Sequence, residues 1–264
     1  MKNILLLVHD DAGQEARFQS ALDVCRAVGG HLKCLDVAVL PNVPGDMYGA
    51  TAILLADERE RESANRTRLE ARLAVEDVSW DWRDITGGLA LCLAETAELA
   101  DLIVINRSLK DAFGPDMRTV AGQVLTQCDA PILAVPDTAR SFDPCGDVLI
   151  AWDGSDAATA ALRAAVPLLK RARTVTLLEI HGGAPATGED AAIYLARHGI
   201  AVEIVVVPPL AGDIGATLLA EMRSRKPDYV VMGGFGHSRI REALLGGVSR
   251  TMLAESDVPL FLAH

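Results

Sequence analysis

Aromatic side chains are scarce in this chain of 264 residues: five Phe, three Tyr and three Trp, 4% of the total. A core with so few rings must be filled by aliphatic groups, and Ala, Leu and Val dominate a sequence that is 50% hydrophobic. Cysteine occurs five times, at Cys25, Cys34, Cys92, Cys128 and Cys145, but never as Cys-x-x-Cys and never at a Cys/His ligand spacing. The odd count reads as small buried side chains in a reducing compartment, not as a disulfide frame or a metal site. Long hydrophobic runs are missing too. The first, Ile4–Val8, ends in His9-Asp10-Asp11 and is too short for a signal core or a membrane span. A soluble cytoplasmic protein with no membrane partner is expected. Positive charge is in deficit, with 25 Lys and Arg against 36 Asp and Glu and a net charge of -11, which repels phosphodiester backbones and argues against nucleic acid. A small anion can still bind where backbone dipoles converge.

What is present is a repeat. "ADLIVINRS" (100–108) parallels "PDYVVMGGF" (227–235), and "CDAPILAVP" (128–136) parallels "SDVPLFLAH" (256–264). The openings match as well, "ILLLVHDD" (4–11) with "VLIAWDGS" (148–155). Pro, Gly and polar residues between the halves, "PDTARSFDPCGD" (136–147), read as a linker. One domain is therefore expected over residues 1–140 and another over 145–264, within the length two domains need. Each half alternates strand and helix, five strands in all, which predicts a doubly wound parallel sheet of class α/β. In the second half strands are expected near 147–152, 174–180, 201–207, 228–233 and 259–263, and helices near 156–171, 187–198, 213–225 and 247–256. In the first half, 51–77 reads as a long charged helix with a solvated face and i, i+4 pairs. Pro131 and Pro259 each open a last strand, which predicts an edge strand in each half. Two such edges could pair in a pseudo-twofold arrangement, or support a homodimer.

Two phosphate-binding loops are absent. There is no Gly-x-x-x-x-Gly-Lys-Ser/Thr, and no Gly-x-Gly-x-x-Gly after the first strand of either half. Glycine gathers instead in "VVMGGFGHSRIREALLGGVSR" (230–250). In open parallel sheets, ligands bind beyond the carboxyl ends of the strands, where the strand order reverses. The strand ending at Gly233 and the loop carrying Asp153 both open on that side. A helix starting near Gly247 would present its free N–H groups and positive dipole end there, a setting that favours an anion. Ser249 and Thr251 add hydroxyls, and His237, Arg239, Arg241 and Arg250 add local positive charge to an acidic chain.

The spacing Gly233-x2-Gly236-x9-Gly246, with the "VLIAWDGS" opening and the Asp-x-Pro ending, resembles the ATP-binding signature of the universal stress protein family, Gly-x2-Gly-x9-Gly-Ser/Thr. The resemblance covers essentially the whole chain as a tandem pair. It implies two adenine nucleotide alpha hydrolase-like, Rossmann-like domains, ATP with Mg²⁺ as the ligand, and a role as stress-response sensor or regulator. Carried over by position, Ala151, Trp152 and Asp153 at the first strand's end would contact the nucleotide. So would Met232, Gly233, Gly236 and the neighbouring His237, and then Gly246, Gly247, Val248 and Ser249. Asp153 would face the ribose or a bound metal, the first two glycines would cradle the nucleotide, and the amides of 246–249 would hold phosphates. Plainer roles suit the same residues: Asp153 and Ser249 fit helix starts, and Trp152 is either an adenine-stacking ring or a core-edge aromatic. Gly247 departs from the signature, which has Ser or Thr there. A lost hydroxyl bond to a charged acceptor is worth about 1–3 kcal/mol, which weakens binding roughly ten- to a hundredfold.

The first half departs further. Asn106, Arg107 and Ser108 replace the first glycines, Gly114 and Gly122 stand at the wrong spacing, and His9 stands where the second half has Asp153. A degenerate copy without ATP is expected, with Arg107, Lys110 and Arg118 as solvated surface charge. Three functions are then open: a nucleotide-binding sensor, a nucleotide-free scaffold for an unknown protein partner, and a slow ATPase. The last lacks a paired acid and base or a catalytic lysine, so no catalytic residue is assigned.

Overall fold

The computed structural model describes residues 1–39, 49–107, 116–180, 188–234 and 247–264. The first half runs β1 (Asn3–Val8), α1 (Gln14–Val28), β2 (His31–Val39), α2 (Gly49–Leu73), β3 (Ser79–Gly87), α3 (Leu89–Thr96), β4 (Leu102–Asn106), α4 (Met117–Gln127) and β5 (Ile132–Val135). The second runs β6 (Asp147–Trp152), α5 (Asp156–Leu169), β7 (Thr174–Ile180), α6 (Gly188–Arg197), β8 (Glu203–Val207), α7 (Ile214–Arg225), β9 (Tyr229–Gly233), α8 (Gly247–Glu255) and β10 (Leu260–Ala263). All ten strands join one sheet in the order β3-β2-β1-β4-β5-β10-β9-β6-β7-β8.

Each half repeats the same five-strand order, with parallel neighbours throughout. The halves meet at β5 and β10, which run antiparallel with Phe261 opposite Leu133 and flanking pairs Leu260–Ala134 and Leu262–Ile132. That register is symmetric about Leu133–Phe261 and relates the halves by a pseudo-twofold. The edges expected from Pro131 and Pro259 are therefore paired inside the chain, and neither is left to pair with a second copy. The open edges are β3 and β8.

The inner strands are apolar on both sides because helices cover both faces. Helices α1, α2, α5 and α6 pack one face of the sheet, the face that carries Ile4, Leu6 and Val8 of β1. Helices α3, α4, α7 and α8 pack the other, which carries Leu5 and Leu7. The repeated aspartates of "ADLIV" and "PDYVV" do the same job twice. Asp101 Oδ2 accepts the N–H of Asn3 at 2.9 Å, and Asp228 Oδ2 accepts that of Asp147 at 2.6 Å, each tying two strand starts together. The linker is not slack: Phe142 is 3% exposed and stacks on Tyr229 with ring centroids 4.9 Å apart. Among the described residues no helix is long and apolar enough to cross a membrane.

Candidate functional site

Strand order reverses between β6 and β9, the place where a doubly wound sheet binds its ligand. A cavity of about 260 Å³ opens there, just under the roughly 300–1,000 Å³ of ordinary ligand clefts. Its apolar wall comes from Ala151, Leu178 and Met232 on the strands and from Ile214 and Leu218 on α7. Gly247, Val248 and Ser249, the first turn of α8, form the opposite wall. The N–H groups of a first helical turn have no intrahelical acceptor, so that wall offers donors and a positive dipole end. Of the residues anticipated from sequence, Ala151, Trp152, Asp153, Met232, Gly233, Gly247, Val248 and Ser249 all border this cavity. Gly236, His237 and Gly246 lie outside the described residues. A larger cavity of about 620 Å³ sits at the other end of the sheet, by Asp101 and Pro131, where the strands begin.

Local chemistry explains how the strand end is held. Asp153 Oδ1 accepts the Ser155 N–H at 3.0 Å, and Ser155 Oγ accepts the Ala158 N–H at 3.1 Å. Ser155, not Asp153, is thus the N-cap of α5, and Asp153 stays exposed at the mouth. Ser155→Ala is expected to cost about 1 kcal/mol of stability, measured by urea unfolding. Trp152 borders the cavity but packs against the core on the α5–α6 face, whereas Ala151, Leu178 and Met232 belong to the core on the other. Strand alternation points the indole away from the cavity wall, so Trp152 is the core-edge aromatic. Gly233 has a packing reason of its own: a Cβ there would lie 2.6 Å from Ala158 N and 2.9 Å from Ala157 C, so any side chain would push α5 off the strand. Around Gly247, by contrast, a Cβ would meet nothing within 4 Å.

Comparison with known proteins bears on the family and the fold. The model of the universal stress protein family matches residues 146–264. The second half is thus a universal stress protein domain. A universal stress protein of Synechocystis sp. is 23% identical over 98% of this chain and 99% of its own length. The fold of the whole chain is shared with a universal stress protein of Archaeoglobus fulgidus, at a TM-score of 0.76 and 17% identity, covering 100% of this chain and 98% of that one. A putative universal stress protein of Pseudomonas aeruginosa superposes with a TM-score of 0.65 at 16% identity, covering 100% and 93%.

The first half of the chain closes the equivalent point with its own side chain. The strand pairings align Leu5 with Leu149 and Ile103 with Val230, which sets His9 on Asp153, Asn106 on Gly233 and, by the same offset, Gly13 on Ala157 and Arg17 on Ala161. Arg17 is fully buried. Its Nε donates to Leu7 O at 2.7 Å and one terminal nitrogen to His9 O at 2.6 Å. The other donates to Asn106 Oδ1, and Asp11 lies at 2.7 Å as its counter-ion. Room for Asn106 comes from Gly13, where a Cβ would collide with the Asn106 amide. Each half thus places its glycine on one side of the same contact: on the helix start in the first, on the strand end in the second.

Of the basic residues expected as solvated surface charge in the first half, two are held by the chain itself. Arg107 is half-buried and donates to Leu253 O at 3.0 Å across the two halves, and burial depresses its pKa. Arg118 pairs with Asp116, the N-cap of its own helix, at 2.9 Å. Lys110 lies outside the described residues. The long charged helix is only partly the solvated face expected of it. Arg66 and Glu70 form an exposed i, i+4 pair at 2.8 Å, but Glu58, Glu62, Asn65, Leu69 and Leu73 form a buried stripe. The acids in that stripe turn to the end of β1, where His9 Nδ1 is 2.8 Å from Glu62 and 3.5 Å from Glu58. Burial works against the Glu62 carboxylate, yet hydrogen bonds from His9 and the Asp10 N–H hold its pKa below the ordinary value. On β2 burial, and then the charge of Glu62, push Asp36 up to about 7.

Proposed function

We propose that the second half binds an adenine nucleotide, ATP with Mg²⁺, and that the protein serves as a nucleotide-responsive sensor or regulator in the stress response. The observation that carries this reading is the pairing of opposites in one cleft: an apolar wall of Ala151, Leu178 and Met232 facing the N–H groups that open α8. An adenine ring suits the first and phosphates suit the second. Asp153, exposed at the mouth, is placed for a ribose hydroxyl or the nucleotide's metal. Among the described residues that line the cleft it is the single ionisable side chain, so these residues supply no acid–base pair for hydrolysis.

Isothermal titration of ATP·Mg²⁺ into the purified protein is expected to show one site per chain. Absence of heat, and of competition with a fluorescent nucleotide, at millimolar ATP would leave the nucleotide-free scaffold reading. Gly247 favours that second reading, since it lacks the hydroxyl of the signature. Steady phosphate release that disappears in Asp153→Ala would instead establish an ATPase.

A further inference from the structure

A second constellation, outside the nucleotide cleft and independent of it, lies where β1 ends under α2. Glu58 and Glu62 are four residues apart, so one face of α2 carries both carboxylates. His9 is the first residue beyond β1. Its Nδ1 and one oxygen from each glutamate all lie within 4.8 Å of one another, with every residue at least nine-tenths buried. A zinc or manganese ion bonded at about 2.0–2.2 Å to each donor holds its ligand atoms about 3–3.5 Å apart. The His9–Glu58 separation of 3.5 Å is of that size, and the His9–Glu62 separation of 2.8 Å is slightly shorter.

A separate observation also asks for a cation. Asp36 is 4% exposed and lines a cavity of about 320 Å³ together with Glu62. Among the described residues no hydrogen-bond donor reaches its carboxylate, and its cross-strand neighbour is another acid, Asp84. The arginines nearest Asp36 are directed elsewhere, Arg66 to Glu70 and Asp84, Arg59 to Thr86 and Arg68 to Asp10, while Arg61 pairs with the second oxygen of Glu58 and leaves its first toward His9. Buried carboxylates without donors are costly unless a positive charge faces them.

We propose that His9, Glu58 and Glu62 bind one divalent transition-metal ion, with Asp36 facing it across the cavity, and that the ion pins α2 to the end of β1. One imidazole with carboxylates suits zinc or manganese better than magnesium, which prefers oxygen ligands alone. Glu62 is already oriented for this by the Asp10 N–H at 3.0 Å and the Asn65 amide at 3.1 Å, the kind of outer contact that fixes a ligand. Among the described residues the second half shows no such cluster: Asp153 replaces His9, and α6 brings Gly188 beside Glu179.

The test is titration of Zn²⁺ and Mn²⁺ into the full chain after chelator treatment and dialysis, without nucleotide. One equivalent of Zn²⁺ should bind and raise the thermal midpoint. Glu58→Gln and Glu62→Gln should each weaken binding at least about tenfold. X-ray absorption of the zinc-loaded wild-type chain should show nitrogen and oxygen ligands only, and it decides the matter should a variant fail to fold. No binding, sulfur in the coordination shell, or full retention of zinc by the Glu58→Gln, Glu62→Gln double variant would overturn the proposal. Loss of ATP binding in a separate titration leaves it untouched.

Discussion

Arg17→Met is expected to destabilise the protein by about 3–5 kcal/mol, the cost of removing one partner from a buried charge pair. The guanidinium donates to three acceptors, Leu7 O, His9 O and Asn106 Oδ1, and lies 2.7 Å from the Asp11 carboxylate as its counter-ion. Methionine fills much of the volume, so the loss reports unmet polar groups more than a void. Lysine should recover only part, because an ammonium cannot present Arg's fixed fork of donors. The second half shows the alternative solution, with Ser155, Ala157, Ala161 and Gly233 at the positions of Asp11, Gly13, Arg17 and Asn106. Installing those four residues together should be less harmful than Arg17→Met alone, since the Asp11 carboxylate and the Asn106 amide leave with the guanidinium and only the Leu7 and His9 carbonyls remain. Urea unfolding checks both; a loss below about 1 kcal/mol for Arg17→Met would mean that water replaces the guanidinium.

The same four positions show what sequence could and could not convey. The strands and helices of the second half were legible to within about two residues at their ends, because buried parallel strands are unbroken apolar runs with Asp, Gly or Pro at their limits. Only β8 starts noticeably later than expected, at Glu203, where a half-exposed edge strand has a weaker signal. The β5–β10 junction was legible from the paired Asp-x-Pro endings. Arg17 was not: one arginine in an amphipathic helix reads as surface, and its four partners lie on β1, β4 and the turn between β1 and α1. Nor was the buried stripe of α2, since alternating Glu and Arg at helical spacing look the same whether a strand end or water faces them. Gly233 was legible as significant but ambiguous in cause. Spacing alone cannot tell a glycine that approaches a ligand from one that approaches Ala157 and Ala158.

Gly247 is the position where that ambiguity yields to experiment. Gly247→Ser restores the residue type of the family signature, and a Cβ there would meet nothing within 4 Å. It is also the first residue of α8, where serine costs the helix less than glycine does. The added hydroxyl can donate to a phosphate oxygen, a bond to a charged acceptor worth about 1–3 kcal/mol. The expected result is a roughly ten- to hundredfold lower Kd for ATP, with unfolding stability unchanged or slightly raised. AMP should gain less than ATP if the gain comes from the outer phosphates, and adenosine should gain nothing. Alanine at the same position separates the causes, because it carries the helix preference without the hydroxyl and should leave Kd near the wild-type value. Equal tightening by alanine and serine would assign the effect to the stiffness of the helix start. Unchanged affinity with serine would place the phosphates away from α8, and with them the half of the cleft on which the nucleotide reading depends.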